Sequence, residues 1–349
     1  MRERAGAHGA TAGVTGARGQ CDTPAMSDAP SLSVDVVVAT FNRPDNVRIC
    51  LEHLEKQTLT PDEIVVVDSS PHRLTADVVA DFPGVRYIRN DAGPGTLATS
   101  RAIGVAETRS DIVAFIDDDA YAEPDWLENI VARYADPAVG AVGGRASNGR
   151  PGEELEGLDE VGRLLPDGTL TGNFAADTGH DIEVDHVLGA NMSVRRTALD
   201  GIGGIVDLFP GTCLREESDI MLRIGRAGWR IVYTPSALVE HVAAPYTRGR
   251  RFDVRYTYYG HRNHIVLLSH TFGMRDAILR RYVGTAVRGM GGNVAEAAKV
   301  LVDGERSPKQ KARAVSAKAL HVSAALGGLA AGTTVSVRTF VPLRRRGEN

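Results

Sequence analysis

Asp117, Asp118 and Asp119 stand in a row directly behind the apolar run "IVAFI" at 112–116. Three like charges at the end of a buried-looking stretch repel one another, the more so where water is excluded. A divalent cation offsets that repulsion: carboxylates suit Mg²⁺ and Mn²⁺, and Mg²⁺ is commonly held by one or two carboxylates together with substrate phosphates. The bland alternative, an acidic helix start on the surface, fits poorly with the apolar lead-in. A second group of carboxylates lies in "REESDIMLRIGRAGWR" at 215–230. At helical spacing Glu216, Asp219 and Arg223 share a side, and Asp219–Arg223 makes an ordinary i, i+4 ion pair. Glu217 shares a face with Ile220, Met221 and Ile224, so it is expected to look inward, where partial burial tunes a carboxyl for general-base work. The competing reading is a capping carboxylate in the first helical turn. His241 follows the strand-like "SALVE", and a lone histidine is more often structural than a ligand. Arg101 falls in the first turns of a helix, where an arginine is placed for a phosphate, although a surface ion pair is its commoner fate.

These residues need a frame. From Ser33 onward, short β-branched runs alternate with helical stretches. Strands are expected over "VDVVVAT" (34–40), "EIVVVDSS" (63–70), "VRYIRN" (85–90) and "DIVAFIDDD" (111–119). A helix over 44–57 puts Val47, Leu51 and Leu54 on one face, a short helix follows the second strand, and another spans 96–108. Pro124 opens a further helix, in which Trp126, Ile130 and Tyr134 recur on the side that covers the sheet. Continuous apolar strands imply a parallel sheet buried on both faces, in a doubly wound α/β design with ligands at the carboxyl ends of the strands. Thr40, Asp68 and Asp117–Asp119 end three of those strands and converge on one rim. From about 149 to 184 the chain turns Gly/Pro/Asp-rich and reads as a long excursion. Regular structure returns over 184–196, in a helix from about Arg215, and in a strand at 229–235; a helical, basic tail follows 245.

The chain has 349 residues, 43% of them hydrophobic, enough for one large domain with appendages. Cys21, Cys50 and Cys213 are widely separated and form no disulfide framework, which points to a reducing, cytoplasmic compartment. The net charge of −4 hides an asymmetry: from Arg248 onward there are 19 Lys/Arg against 6 Asp/Glu. That basic tail fits either a solvated helical surface or an anionic membrane face, the inner leaflet for a cytoplasmic protein. Residues 1–32 lack periodicity and an apolar signal core, and read as a disordered extension. Ala319–Val337 is a charge-free run of 19 residues, rich in Gly, Ala, Ser and Thr, and is expected as a packed or surface-lying helix more than as a membrane span. No nucleic-acid partner is expected. "GPGTLA" at 93–98 satisfies G-x-G-x-x-A, but it follows an interrupted strand in the third βα turn, not the first, so a dinucleotide site is discounted.

"VVVATFNRPDNV", "EIVVVDSS", "TSRAIGV", "IVAFIDDDA", "GANMSVRR" and "REESDIMLRIGRAGWRIVYTPSALVEH", in this order and spacing, resemble a family 2 glycosyltransferase of the GT-A fold over about residues 33–245. The resemblance implies a Rossmann-like mixed sheet over 33–245; it does not extend to 246–349, whose own pattern reads as a basic helical C-terminal region. It implies a nucleotide-diphosphate sugar donor, a hydroxyl acceptor of unknown identity, and Mg²⁺ or Mn²⁺ as cofactor. Carried over position by position, Thr40, Asn42, Asp68, Asp117 and Asp118 would meet the nucleotide sugar and Arg101 its diphosphate. Asp119 of a DxD-like signature would hold the metal with His241. Gly189, Ala190, Asn191 and Glu216 would shape the acceptor side, and Glu217 takes the place of the catalytic base in an inverting displacement. Two positions depart from the family pattern: "SSPHR" follows Asp68, and the base is Glu where Asp is frequent.

Other classes were weighed on the same residues. A sugar nucleotidyltransferase would carry a glycine-rich phosphate loop after the first strand, and "ATFNRPDN" has no glycine. A retaining transferase on the same fold would not need Glu217 as a base. A non-catalytic sugar-nucleotide binding protein has no use for both Asp119 and Glu217.

Overall fold

The computed structural model describes residues 32–242 and 253–340. The extension expected at 1–32 therefore falls, but for Leu32, outside the described residues, as does the domain boundary expected at 245/246. From Leu32 on, the chain forms one compact unit.

Val/Ile runs build the sheet. β1 (Val34–Thr40), β2 (Glu63–Asp68), β3 (Val85–Arg89) and β4 (Ile112–Asp117) lie parallel in the order β3-β2-β1-β4. β5 (Ala120–Ala122), β6 (Val139–Ser147), β7 (Ile182–Glu183), β8 (Asn191–Arg195) and β9 (Arg230–His241) complete it, with β8 antiparallel to β4 and the order continuing β8-β6-β9-β5; β7 pairs with β9. The sheet is thus mixed: its first four strands run parallel, β8 is antiparallel to both β4 and β6, and β6 and β9 are again parallel. Register carries the functional consequence: Thr40 pairs with Asp68 and Ala39 with Asp117, so the polar ends of three adjacent strands share one rim.

Alternation along each strand feeds two cores. Val36, Val38, Ala114 and Ile116 face α1 (Pro44–Leu54) and, further along the sheet, α4 (Trp126–Arg133). Val37, Val65 and Phe115 face the opposite side, shared with α3 (Leu97–Glu107), α5 (Arg196–Gly201) and α6 (Glu216–Arg226); the short α2 (Leu74–Val79) covers the β3 edge. Each fully buried aliphatic side chain contributes ~1.5–3 kcal/mol, so both periods of every central strand are committed to apolar residues. Trp126, Ile130 and Tyr134 are all buried, as their spacing requires.

Three elements depart from expectation. β6 was not foreseen, because its "VGAVGGRAS" lacks a β-branched run; its glycines serve close packing, since a Cβ on Gly144 would lie 2.0 Å from the Ala237 carbonyl oxygen. The strand expected over 184–196 shortens to β8, because 184–190 forms an irregular approach to the rim. The excursion from 149 holds only two 3₁₀ turns, Glu153–Leu155 and Leu158–Glu160, before β7.

The tail is helical, as read: α7 (Val254–Phe272), α8 (Ala277–Val302) and α9 (Pro308–Phe340). Asp253 and Asp276 cap α7 and α8 by accepting from the Tyr256 and Ile278 N–H groups. α7 is docked onto the segment before α6, where Asn263 Nδ2 donates to the Leu214 carbonyl at 3.1 Å. α8 and α9 pack on it through Tyr282, Met290, Ala325 and Leu329 against Ile265 and Leu268. By length and composition α9 is apolar enough to cross a membrane, with a mean hydropathy of 1.3 over its most apolar window. In the fold it lies along α7, while Val287, Val294, Leu301, Leu320 and Leu326 of α8 and α9 stay exposed.

Candidate active site

The β4–β5 turn carries the three aspartates, and β9 brings the histidine to them. Ala120 pairs with His241 in the antiparallel β5–β9 ladder, and the Val242 N–H donates to the Asp119 carbonyl at 3.0 Å. His241 Nε2 consequently lies 3.5 Å from Asp119 Oδ1. Ligand atoms of Asp117, Asp119 and His241 all fall within 4.8 Å of one another, a spacing that accepts a metal ion. Two carboxylates and an imidazole form a donor set for a divalent transition metal. Asp117, expected on the nucleotide, is thereby grouped with the metal ligands.

Arg43, unremarked in the sequence, offsets much of the aspartate charge. Its Nη1 lies 3.0 Å from both Asp118 Oδ1 and Asp119 Oδ2. Asp118 takes a further bond from the Thr40 hydroxyl at 2.6 Å. Both oxygens of buried Asp118 therefore have partners inside the protein, and Thr40 and Asp118, both expected on the nucleotide sugar, bond to each other. Burial pushes the Asp118 carboxyl up to about 7, with Arg43 and Thr40 pulling against it and Asp119 adding to the rise. Asp119 differs: Oδ2 faces Arg43 while Oδ1 faces His241.

Arg101 is 2% exposed and joins three segments. Nη1 donates to Glu216, and Nη2 donates to Asp117 Oδ1 at 2.9 Å and to the Gly189 carbonyl at 2.8 Å. Arg101, expected on the diphosphate, and Glu216, expected on the acceptor side, are both buried and pair with each other. Burial pushes the Glu216 carboxyl up to about 7 against the pull of Arg101, and Glu217 adds to the rise. Gly189 is shaped by this pair: a Cβ there would lie 2.9 Å from Arg101 Nη1 and 3.3 Å from the Glu217 Cβ. Ile220, Met221 and Ile224 are buried as expected, while Glu217 on their side is half-buried and Glu216 beside it is fully buried. Burial still raises the Glu217 carboxyl above its usual range, opposed by Arg215 and Arg101.

Other sequence-derived candidates divide in the same way. Asp68 is fully buried: Oδ1 takes the Ser70 N–H at 2.8 Å and the Ser70 hydroxyl, and Oδ2 takes the Tyr87 hydroxyl at 3.0 Å. These bonds tie Asp68, expected on the nucleoside, to the turn after β2 and to β3. Asn42 stays exposed, in the left-handed region at φ 56°, with its N–H on Ser70 Oγ at 2.7 Å. Asn191, expected on the acceptor side, is buried and fully bonded, accepting from Trp126 Nε1 at 2.8 Å and donating to the Arg145 and Ala237 carbonyls at 2.9 Å. Ala190 is likewise buried, and its carbonyl accepts the Asp117 N–H at 3.4 Å. The readable signal for Arg43 was its place in the first βα turn, one residue from Asn42.

Comparison with known proteins agrees with this geometry. Residues 35–203 match the profile Glycosyl transferase family 2. The glucosyl-dolichyl phosphate glucuronosyltransferase of Haloferax volcanii is 32% identical over 222 residues, covering 60% of this chain and 69% of that protein. The O-antigen chain rhamnosyltransferase RfbN of Salmonella typhimurium is 24% identical over 218 residues, covering 60% of this chain and 66% of that protein. Among solved structures, the mannosyltransferase PcManGT of Pyrobaculum calidifontis, in complex with GDP-Man and Mn²⁺, superposes with a TM-score of 0.52 at 18% identity, covering 86% of this chain and 88% of that one. The fold is GT-A. The chain belongs to glycosyltransferase family 2 and is a transferase enzyme.

Proposed function

We propose that the protein moves a sugar from a nucleoside-diphosphate sugar to an acceptor hydroxyl, with inversion at the anomeric carbon and with a divalent cation. One observation supports this most: Arg101 joins Asp117, of the metal-competent cluster, directly to the helix terminus that carries Glu217. The residues proposed for the donor side and for the acceptor side are thereby linked through one guanidinium. Glu217 accepts the proton of the attacking hydroxyl, and its burial-raised pKa strengthens it as a base. Asp117, Asp119 and His241 would hold the ion, and Asn42 remains exposed on the donor rim for the nucleotide. When bound, the cation supplies Lewis-acid stabilisation to the departing pyrophosphate oxygens. Imidazole in the donor set favours Mn²⁺ over Mg²⁺. The mannosyltransferase solved with GDP-Man and Mn²⁺ supports the same donor class and metal.

The acceptor is met at a membrane surface. The α8–α9 pair exposes Val287, Val294 and Leu301 among basic residues such as Arg288, Lys299 and Lys311, a combination suited to the anionic cytoplasmic leaflet. The name of the Haloferax relative, with its dolichyl phosphate, accords with work at a lipid surface.

Glu217→Gln tests the reaction. Turnover is expected to fall roughly 10²–10⁴-fold while donor binding by calorimetry persists, and NMR of the wild-type product is expected to show inverted anomeric configuration. Transfer near the wild-type rate, or a retained configuration, contradicts the mechanism.

A further inference from the structure

Arg215 immediately precedes Glu216 and Glu217 and occupies the N-cap of α6 at φ 81°. Cys213, two residues earlier, also lies in the left-handed region at φ 55°. Such conformations are unfavourable for a residue with a side chain and persist where the surroundings impose them. The arginines around it are paired: Arg43 with Asp118 and Asp119, Arg101 with Asp117 and Glu216, Arg223 with Asp219. Arg215 has no ion pair among the described residues, and its Nε is buried without an acceptor.

Its surroundings bring one carboxylate, Glu217, within electrostatic reach but into no ion pair with it. Glu217 from its own helix, His186 from the approach to β8, His261 and His264 from α7 and Tyr282 from α8 all lie within its electrostatic reach. The three histidines are held toward neutrality by burial first, with Arg215 adding to the shift, and Tyr282 stays a phenol. His186 and His264 are bonded to the Thr171 and Gly168 carbonyls. A guanidinium offers a planar fork of donors matched to phosphate oxygens, and an unfilled one beside a buried surface is costly. His261 also lines a cavity of about 450 Å³ between α7, α8 and α9, whose other walls include Ala286, Met290 and Ala325. Thr257, Asn293, Lys318 and His321 also line it, so the cavity offers both apolar wall and polar groups to a carrier.

We propose that Arg215 anchors a phosphate carried by the sugar acceptor, next to the hydroxyl that Glu217 activates. This rests on the transferase reading and names the acceptor's chemistry: a phosphorylated alcohol, on a lipid carrier or on a soluble sugar phosphate. Arg215 touches the substrate but not the reacting atoms, so it sets acceptor affinity and orientation.

The test uses the full chain loaded with Mn²⁺ and UDP, or GDP where a thermal shift selects it, so that the donor's own phosphate positions are filled. Calorimetric titration with methyl phosphate is expected to show binding by the wild type, a roughly ten-fold or greater loss in Arg215→Gln, and partial recovery in Arg215→Lys. Nucleoside diphosphate affinity in the same preparations is the fold control. A second arm compares co-sedimentation with phosphatidylcholine vesicles containing a polyprenyl phosphate or the parent polyprenol. An Arg215-dependent preference for the phosphate assigns a lipid carrier; Arg215-dependent methyl phosphate binding without that preference assigns a soluble one. Equal phosphate affinity in wild type and Arg215→Gln, or no phosphate binding by the wild type in either arm, overturns the proposal. Failure of the transferase reading registers separately, as absent Mn²⁺-dependent nucleotide binding by the wild type.

Discussion

His241 Nε2 stands 3.5 Å from Asp119 Oδ1, although the two residues come from opposite ends of the transferase fold. Strand pairing enforces the meeting: β5 leaves the aspartate turn and runs antiparallel to the last residues of β9. The same carboxylate turns its other oxygen to Arg43. Asp119 is therefore shared between a built-in cation and the Asp117–Asp119–His241 group whose spacing accepts a metal ion.

Arg43 should be measurable as a substitute counter-charge. Arg43→Met leaves Asp118 and Asp119 without their guanidinium, at a cost of about 2 kcal/mol for a half-buried charged partner. In EDTA its Tm is expected to fall below that of the wild type. Added Mn²⁺ is expected to raise the Tm of the variant by more than it raises that of the wild type, because ligand binding stabilises in proportion to affinity. Equal Mn²⁺-induced gains would show that Arg43 and the ion do not address the same charge.

Glu216 makes stability depend on pH. A carboxyl whose pKa rises from 4.5 to about 7 on folding binds more protons in the native state between those values. Its contribution is complete below about pH 4.5 and is lost as pH rises through 7, by up to about 3 kcal/mol. Urea unfolding at pH 5 and pH 8 should show the wild type weakening over this range, and Glu216→Gln weakening less. Identical slopes in the two proteins would place the proton elsewhere.

The exposed apolar stripe on α8 predicts a membrane contact. Val287, Val294 and Leu301 recur every seventh residue, so they lie along one side of that helix. Replacing all three by serine should lower affinity for vesicles rich in anionic lipid roughly ten-fold or more. High salt should weaken wild-type binding as well, by screening the basic residues. Unaltered co-sedimentation of the triple variant would dissociate this face from lipid.

Much of the frame was legible in residue order. β1, β2 and β4 announced themselves as Val/Ile runs ending in Thr or Asp, and α4 through the spacing of Trp126, Ile130 and Tyr134. β6 was not, because close packing at Gly144 demands glycines that erase the strand signal. At the site, residue type indicated which side chains gather but not which of them pair. Thr40, Asn191 and Glu216 bond partners distant in sequence, which only tertiary register decides, while Asp68 bonds both its neighbour Ser70 and Tyr87 of β3. Arg101 is the clearest case: helix position suggested an anion, and the anions it meets are Asp117 and Glu216.

The account stands on Asp117, Asp119 and His241 holding a cation that in turn holds a nucleoside diphosphate. Calorimetric titration of UDP and GDP into the wild type and Asp119→Ala, each with Mn²⁺ and with EDTA, tests that most directly. The predicted result is nucleotide binding by the wild type that requires Mn²⁺ and disappears in Asp119→Ala. Nucleotide binding of equal strength in EDTA, or undiminished in Asp119→Ala, would contradict it.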